Sequence, residues 1–274
     1  MILQAHLPAY PLNEFISALV YYDGLEPVHT MDRFLPDGNT ELIINLSDTP
    51  QSIYDNETLQ EIQICRRAWV SGVRTRPITI PSGKGSKMLI VAFKKGKAHP
   101  FYPLPMSELM DWVVEADAVL GRGIHDLREK LLACPSVEWM FSTVERFLLQ
   151  RAGDSLAPNP ASRCVDFALS NIISQPGIRF QRVSEQIGYS QKHFISLFKT
   201  QVGAAPKQYM KIMRFQQAIL EIERGTSTHW SDIALQNGFY DQSHFIHAFR
   251  DFSGFTPGEY IQRKTDTLNY IPIL

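Results

Sequence analysis

The sequence predicts an α+β protein of two domains: a β-rich N-terminal sandwich or barrel with a helical connector, then an all-α domain built on a repeated helix pair. Three observations carry this reading. Short β-branched runs separated by turn signals fill the first hundred residues, the apolar spacing turns helical from about Met106, and an internal repeat spans 187–260. At 274 residues the chain is long enough for two domains.

The β-rich part rests on the runs 41–46 (ELIINL), 60–64, 77–80 and 88–93 (MLIVAF). Turn signals fall between them at Pro36-Asp37-Gly38, Ser47-Asp48-Thr49-Pro50 and Pro81-Ser82-Gly83. Strands this short at this spacing suit a small sandwich or barrel. In the connector, 124–132 and 137–149 read as helices. Pro135-Ser136 starts the second, in which Trp139, Met140, Val144, Phe147 and Leu148 share one face. The small, Pro-rich stretch 152–162 reads as a linker. The expected division is therefore 1–105 β-rich, 106–151 connector, 152–162 linker, 163–265 helical domain and 266–274 tail.

Composition excludes several classes. Apolar residues make up 44% and charged residues 20%, which supports ordinary cores rather than disorder. The net charge of −1 is unevenly spread: from Ala161 onward 12 basic residues stand against 9 acidic, while the remainder carries 15 against 19. A nucleic-acid-facing C-terminal part fits that asymmetry. Cys65, Cys134 and Cys164 are widely spaced with no C-x-x-C pair, so they read as neutral thiols in a reducing compartment. With no signal-peptide pattern and no run near the ~20 apolar residues of a membrane helix, a cytoplasmic location without a membrane partner is expected.

The repeat is the most informative feature. IGYSQKHFISLFKTQVGAAPKQY (187–209) aligns with NGFYDQSHFIHAFRDFSGFTPGEY (237–260). An offset of 51 relates Phe194 to Phe245, Phe198 to Phe249, Gly203 to Gly254, Pro206 to Pro257 and Tyr209 to Tyr260, and one inserted residue upstream pairs Gly188 with Gly238. In each copy a short helix precedes a glycine, which allows the left-handed turn that ends a helix. Ser190 and Asp241 then fall where an N-cap is wanted. This is the layout of a helix-turn-helix, whose second helix enters the major groove.

In the second helices, Phe194, Leu197 and Phe198, and likewise Phe245, Ala248 and Phe249, form the inward stripe. The opposite face carries Lys192, Ser196 and Lys199, matched by Ser243, His247 and Arg250, with no carboxylate. Gln191, Lys192, Gln242 and Ser243 near the helix starts, with Ser196 and His247 one turn on, are placed to meet base edges. Lys199 and Arg250 are placed to grip phosphates. Ile195 and Ile246 lie on the boundary, either touching thymine methyls or packing. Residues 206–224 read as one long helix, ended by Gly225, that would hold the two second helices about 34 Å apart, the spacing of consecutive major grooves.

The repeat resembles the DNA-binding domain of the AraC/XylS family of transcription regulators. Its carriers are Ile233-Ala234, Gly238-Phe239, Ser243, Phe245, Phe249-Arg250, Gly254, Thr256-Pro257 and Tyr260. In the first copy they are Gly188-Tyr189-Ser190, Phe198-Lys199, Gly203, Pro206, Tyr209, Arg214 and Ala218. The resemblance covers about a hundred residues. It implies a DNA-binding unit with two helix-turn-helix motifs, acting as an activator on double-stranded promoter DNA beside RNA polymerase. Ser184 stands where the family usually has alanine, and its hydroxyl is expected to bond back to its own helix. Ser196 stands where an arginine is common. The N-terminal region resembles a domain often found ahead of this unit, on Leu35-Pro36-Asp37-Gly38, Glu41-Leu42-Ile43 and Ser71-Gly72-Val73-Arg74-Thr75-Arg76-Pro77. That resemblance implies a cupin-like β fold serving as a sensor or dimerising module. A small-molecule effector and a homodimer are the partners implied, and the effector residues stay unassigned.

Other signals have plainer readings. His244 and His247 lie three apart on a helix without a third ligand, and His6, His29 and His99 lack the closely spaced pattern of a cupin metal centre, so no metal is expected. Arg66-Arg67, Arg74 and Arg76 suit either an anionic effector or a solvated strand edge. The five lysines of 84–97 suit a charged hairpin or a second nucleic-acid contact. Trp69 and Trp112 line a pocket or fill core. No G-x-S-x-G, phosphate-cradling loop or metalloprotease motif occurs, so no catalytic residue or cofactor is expected. The rivals to a sequence-specific regulator are an enzymatic N-terminal domain and an architectural DNA binder, and the latter lacks the ~10³ or greater discrimination between sites that a regulator needs.

Overall fold

A computed structural model describes residues 2–24, 26–225 and 229–273. Its N-terminal part holds β1 (Ile2–His6), β2 (Ile16–Asp23), β3 (Met31–Phe34), β4 (Glu41–Asn45), β5 (Gln51–Tyr54), β6 (Glu61–Cys65), β7 (Ala68–Ser71), β8 (Ile78–Pro81), β9 (Lys87–Phe93) and β10 (Val113–Glu115). The helices are α1 (Ala116–Leu120), α2 (Gly123–Leu132), α3 (Val137–Ala152), α4 (Pro160–Ser174), α5 (Phe180–Glu185), α6 (Gln191–Val202), α7 (Pro206–Arg224), α8 (Trp230–Gln236), α9 (Gln242–Ser253) and α10 (Pro257–Arg263), followed by β11 (Tyr270–Pro272).

The strands form two antiparallel sheets, ordered β1-β2-β9-β4-β7-β10 and β11-β3-β8-β5-β6. Alternation decides what the first sheet buries. Leu19 and Tyr21, Leu42 and Ile44, Ala68 and Val70, and Leu89, Val91 and Phe93 enter one core with Ile124, Leu127 and Leu131 of α2 and Met140, Phe141, Val144 and Leu148 of α3. Trp139 departs from the expected stripe. It is 59% exposed, because Met140 and Phe141, the next two residues, take the inward positions.

The connector also begins inside the β domain, where β10 pairs with β7 (Val113↔Ser71). Gly72 makes that approach possible, since a Cβ there would lie 1.8 Å from the Leu109 carbonyl oxygen. The expected linker at 152–162 is short and largely regular. α3 runs to Ala152, a 3-10 turn covers Gly153–Leu156, and α4 starts at Pro160 under a capping box between Asn159 and Ser162.

Helices α4 to α10 share a second core, which also takes in Leu35, Val73 and Ile271. The 35–38 stretch, a turn in the sequence reading, is where the two parts meet. Tyr209 Oη of α7 donates to the Gly38 carbonyl (3.1 Å) and Gln216 Nε2 donates to the Pro36 carbonyl (2.7 Å). Gly38, at φ +81°, leaves no room for a Cβ beside Met213 and Tyr209.

Lys95 Nζ donates to the Asp37 carbonyl, and Lys97 pairs with Asp166 of α4 at 2.5 Å. Of the five lysines, Lys97 thus joins the two parts, while Lys95 braces the 35–38 stretch from within the β domain. The expected tail at 266–274 is corrected as well. β11 pairs antiparallel with β3, Tyr270 facing Phe34 and Ile271 facing Arg33, and the Asn269 amide exchanges hydrogen bonds with Gln216. Burial of Ile271 stabilises this pairing.

Candidate nucleic-acid interface

Two equivalent aromatic chains hold the second helices in place. In the first copy Phe180, Phe194, Phe198 and Tyr209 follow one another with ring centroids 6.1, 5.8 and 5.9 Å apart. In the second, Trp230, Phe245, Phe249 and Tyr260 are spaced 6.3, 5.7 and 5.5 Å. Aromatic contacts of this kind, edge-on in four of the six pairs, add roughly 0.5–1.5 kcal/mol each beyond area burial and fix the rotation of the helix. Ile195 and Ile246 are half-buried against the same core, so packing occupies them.

Both caps form as the residues predicted. Ser190 Oγ accepts from the His193 amide (3.3 Å) and Asp241 Oδ1 from the His244 amide (2.7 Å). The turns differ. Gly238 takes φ +72°, whereas Gly188 is not among the left-handed glycines, so the first copy turns without the conformation expected there. Ser184 Oγ donates to the Gln181 carbonyl at 2.9 Å, and α5 stays intact.

With the apolar stripes buried, Gln191, Lys192, Ser196 and Lys199 on α6 and Gln242, Ser243, His247 and Arg250 on α9 are all exposed. Among the described residues, none of the eight side chains is tied up in an ion pair. Arg250 does help to hold the Glu259 carboxyl below its ordinary range, although the Thr256 amide and hydroxyl contribute more. Each of the two helices ends on a glycine that lies against the N-terminal part. Gly203 (φ +103°) abuts the Met106 carbonyl and Gly254 (φ +80°) abuts Arg33. The starts of both helices, where the residues expected to face bases sit, are left open to solvent.

Sequence reasoning missed three further residues. Arg214 donates from Nε to the Pro176 carbonyl (3.0 Å) and from Nη1 to the Gly238 carbonyl (3.3 Å), tying the entry to the first motif to the turn of the second. Its place in the family pattern was the only clue to this. Tyr240, the residue inserted in the second copy, is 87% exposed just before α9. Its amide donates to His244 Nδ1 (3.2 Å), so His244 braces the turn. Tyr189 stacks edge-on with His193 at the start of α6.

Residues 183–263 match the family described as a helix-turn-helix domain, and residues 4–115 match a domain of unknown function (DUF6597). The C-terminal domain is an AraC-type helix-turn-helix domain. A helix-turn-helix-type transcriptional regulator of Staphylococcus aureus is 30% identical to this chain over 83 residues, 30% of this chain and 11% of that protein. One from Haemophilus influenzae is 26% identical over 103 residues, 37% and 34% of the two chains. The similarity therefore spans about a tenth to a third of the length of these relatives. Among solved structures, ToxT from Vibrio cholerae covers 89% of this chain and 96% of its own at 11% identity, with a TM-score of 0.42. An AraC-type regulator from Chromobacterium violaceum covers 37% and 92% at 25% identity, with a TM-score of 0.34. The matched span of the AraC-type domain begins within α5, yet α4 packs into the same core through Val165, Ala168, Leu169 and Ile172, so the physical unit includes it.

The remaining candidates have local roles. His6 Nε2 lies 2.9 Å from Glu145 and its ring stacks on Phe141, while His29 contacts Asp32 (2.6 Å) and Tyr270 (2.7 Å). Burial lowers the pKa of His99. Among the described residues no three His, Cys, Asp or Glu side chains converge as metal ligands. Arg66, Arg67 and Arg76 are exposed. Arg74 is largely withdrawn beside Asp37 and Glu41, and its Nη1 has no hydrogen-bond partner. Trp112 is 64% exposed and Trp69 half-buried. The Cys65 thiol is pushed up to about 12, chiefly by burial. No described helix is long and apolar enough to cross a membrane.

Proposed function

We propose that this chain is a sequence-specific transcription regulator that binds double-stranded promoter DNA through two adjacent major grooves. One observation carries the reading: two recognition helices, each with a side-chain N-cap and an equivalent inward aromatic chain, expose polar or basic residues at matched positions (Lys192, Ser196 and Lys199; Ser243, His247 and Arg250), with Asp251 the exposed carboxylate within the two helices. In this account Gln191, Lys192, Ser196, Gln242, Ser243 and His247 meet base edges, and Lys199 and Arg250 hold phosphates. α7, 19 residues or about 28 Å long, is the rigid spacer between them.

Regulation would run through the N-terminal domain, which abuts the end of both recognition helices at Met106 and Arg33. A small-molecule effector or a second copy acting on that domain would then alter how the helices are presented, with RNA polymerase as the neighbouring partner at the promoter. In vitro selection from a random duplex pool tests the core of this. A regulator returns a defined motif, bound at least ~10³-fold better than unrelated DNA. Recovery of unrelated sequences with uniform affinity would refute it.

A further inference from the structure

A cleft of about 730 Å³ opens between α5, the first turn of α6 and the exposed face of α7. Its floor is apolar, formed by Phe180 and Met210, both buried. Its rim carries Arg179, Lys207, Lys211 and Arg214. The last three fall at i, i+4 and i+7 on α7, opposite the buried Tyr209, Ile212 and Met213, so helical phasing gathers them on one side. The rim's one acid, Glu185, is engaged by Gln181 Nε2 at 2.9 Å. Among the described residues neither Arg179, Lys207 nor Lys211 is in an ion pair, and all three are exposed.

The position of the cleft carries more weight than its charge. Gln191, the first residue of α6, forms part of its wall. On the other side Arg214 reaches the Gly238 carbonyl, in the turn that leads into α9. The cleft therefore lies between the starts of the two recognition helices. When two helices enter successive major grooves by their starts, the sugar–phosphate strands bordering the intervening minor groove must pass between them. Those strands carry a phosphate charge every ~1.7 Å of helix axis.

We propose that this cleft seats the DNA backbone between the two grooves, with Lys207 and Lys211 each neutralising a phosphate and Arg179 completing the rim. The inference rests on the DNA-binding reading above and adds a third contact region outside both recognition helices.

The test uses the full chain and the motif selected by the parent. Affinity is measured across salt concentrations for the parent, for Lys207→Ala/Lys211→Ala and for Lys207→Arg/Lys211→Arg. Two lost phosphate contacts should lower the slope of log K against log salt by about 1.8 in magnitude. The selected motif and the thermal midpoint should stay unchanged, because neither lysine is packed, and the arginine pair should restore the slope. An alanine pair with the parent's slope would overturn the cleft while leaving the DNA-binding reading intact. A parent that selects no motif would overturn both.

Discussion

Replacing Gly72 by alanine should cost more than any other single-methyl addition in the β domain. The new Cβ would sit 1.8 Å from the Leu109 carbonyl oxygen and 2.6 Å from its carbon, against a practical floor of 3.0 Å. The Leu109 backbone must therefore retreat by about 1.2 Å or more. That segment is held by the Gly72 amide on the Trp112 carbonyl (3.1 Å) and the Asp111 amide on the Val73 carbonyl (2.9 Å). Overpacking costs about 1–3 kcal/mol, and weakening two hydrogen bonds adds about 0.5–1.5 kcal/mol each. A total near 4 kcal/mol corresponds to a fall of roughly 8–16 °C in thermal midpoint for a chain of this size. The same backbone carries the 3-10 turn Met106–Glu108, which supports Gly203 and α6, so the first motif should loosen with it. Circular dichroism melts of parent and variant measure the effect directly. A midpoint within about 2 °C of the parent would show that the Leu109 segment yields freely and that the reasoning is wrong.

Three further outcomes follow from the site and the domain seam. Arg250→Ala should weaken binding to every sequence and reduce the salt slope by about 0.9, read by titration at several salt concentrations; an unchanged slope would remove it from the phosphate contacts. His247→Ala should instead relax preference at one or two base pairs by about 1–3 kcal/mol, and a selection returning the parent motif would refute that role. Burial and, secondarily, Asp37 push the Glu41 carboxyl up to about 7 against the opposing pull of Arg74. The folded protein then keeps a proton that the unfolded chain releases above about pH 4.5, so this group's stabilising share is complete at low pH and vanishes as pH climbs through 7. Glu41→Gln should melt with the parent near pH 5 and exceed it by about 1–3 kcal/mol at pH 8 in paired denaturation curves.

Much of the proposed recognition surface is legible in the sequence because helical periodicity and an internal repeat report on the same residues twice. Phe194, Phe198, Phe245 and Phe249 could only face inward, and the caps at Ser190 and Asp241 followed from local chemistry. What stayed hidden depends on contacts distant in sequence. Tyr270-Ile271-Pro272 is too short, and too interrupted by proline, to announce a strand. It pairs with β3 because α10 delivers it there and Ile271 is buried.

Leu35-Pro36-Asp37-Gly38 reads as a turn from either direction. Only its partners Tyr209 and Gln216, more than 170 residues away, reveal it as a docking site. Lys95 and Lys97 read as part of a charged hairpin for the same reason, and Trp139 reads as inward because periodicity alone does not fix the rotation of a helical stripe. In the first copy glycine permitted a left-handed turn that the chain does not use at Gly188.

Hydroxyl-radical and methylation-interference footprinting on the selected duplex probes the pairing of the two helices most directly. Two patches of major-groove contact should appear on one face of the DNA, about one helical turn or 10 base pairs apart. A single patch, or two on opposite faces, would contradict the account.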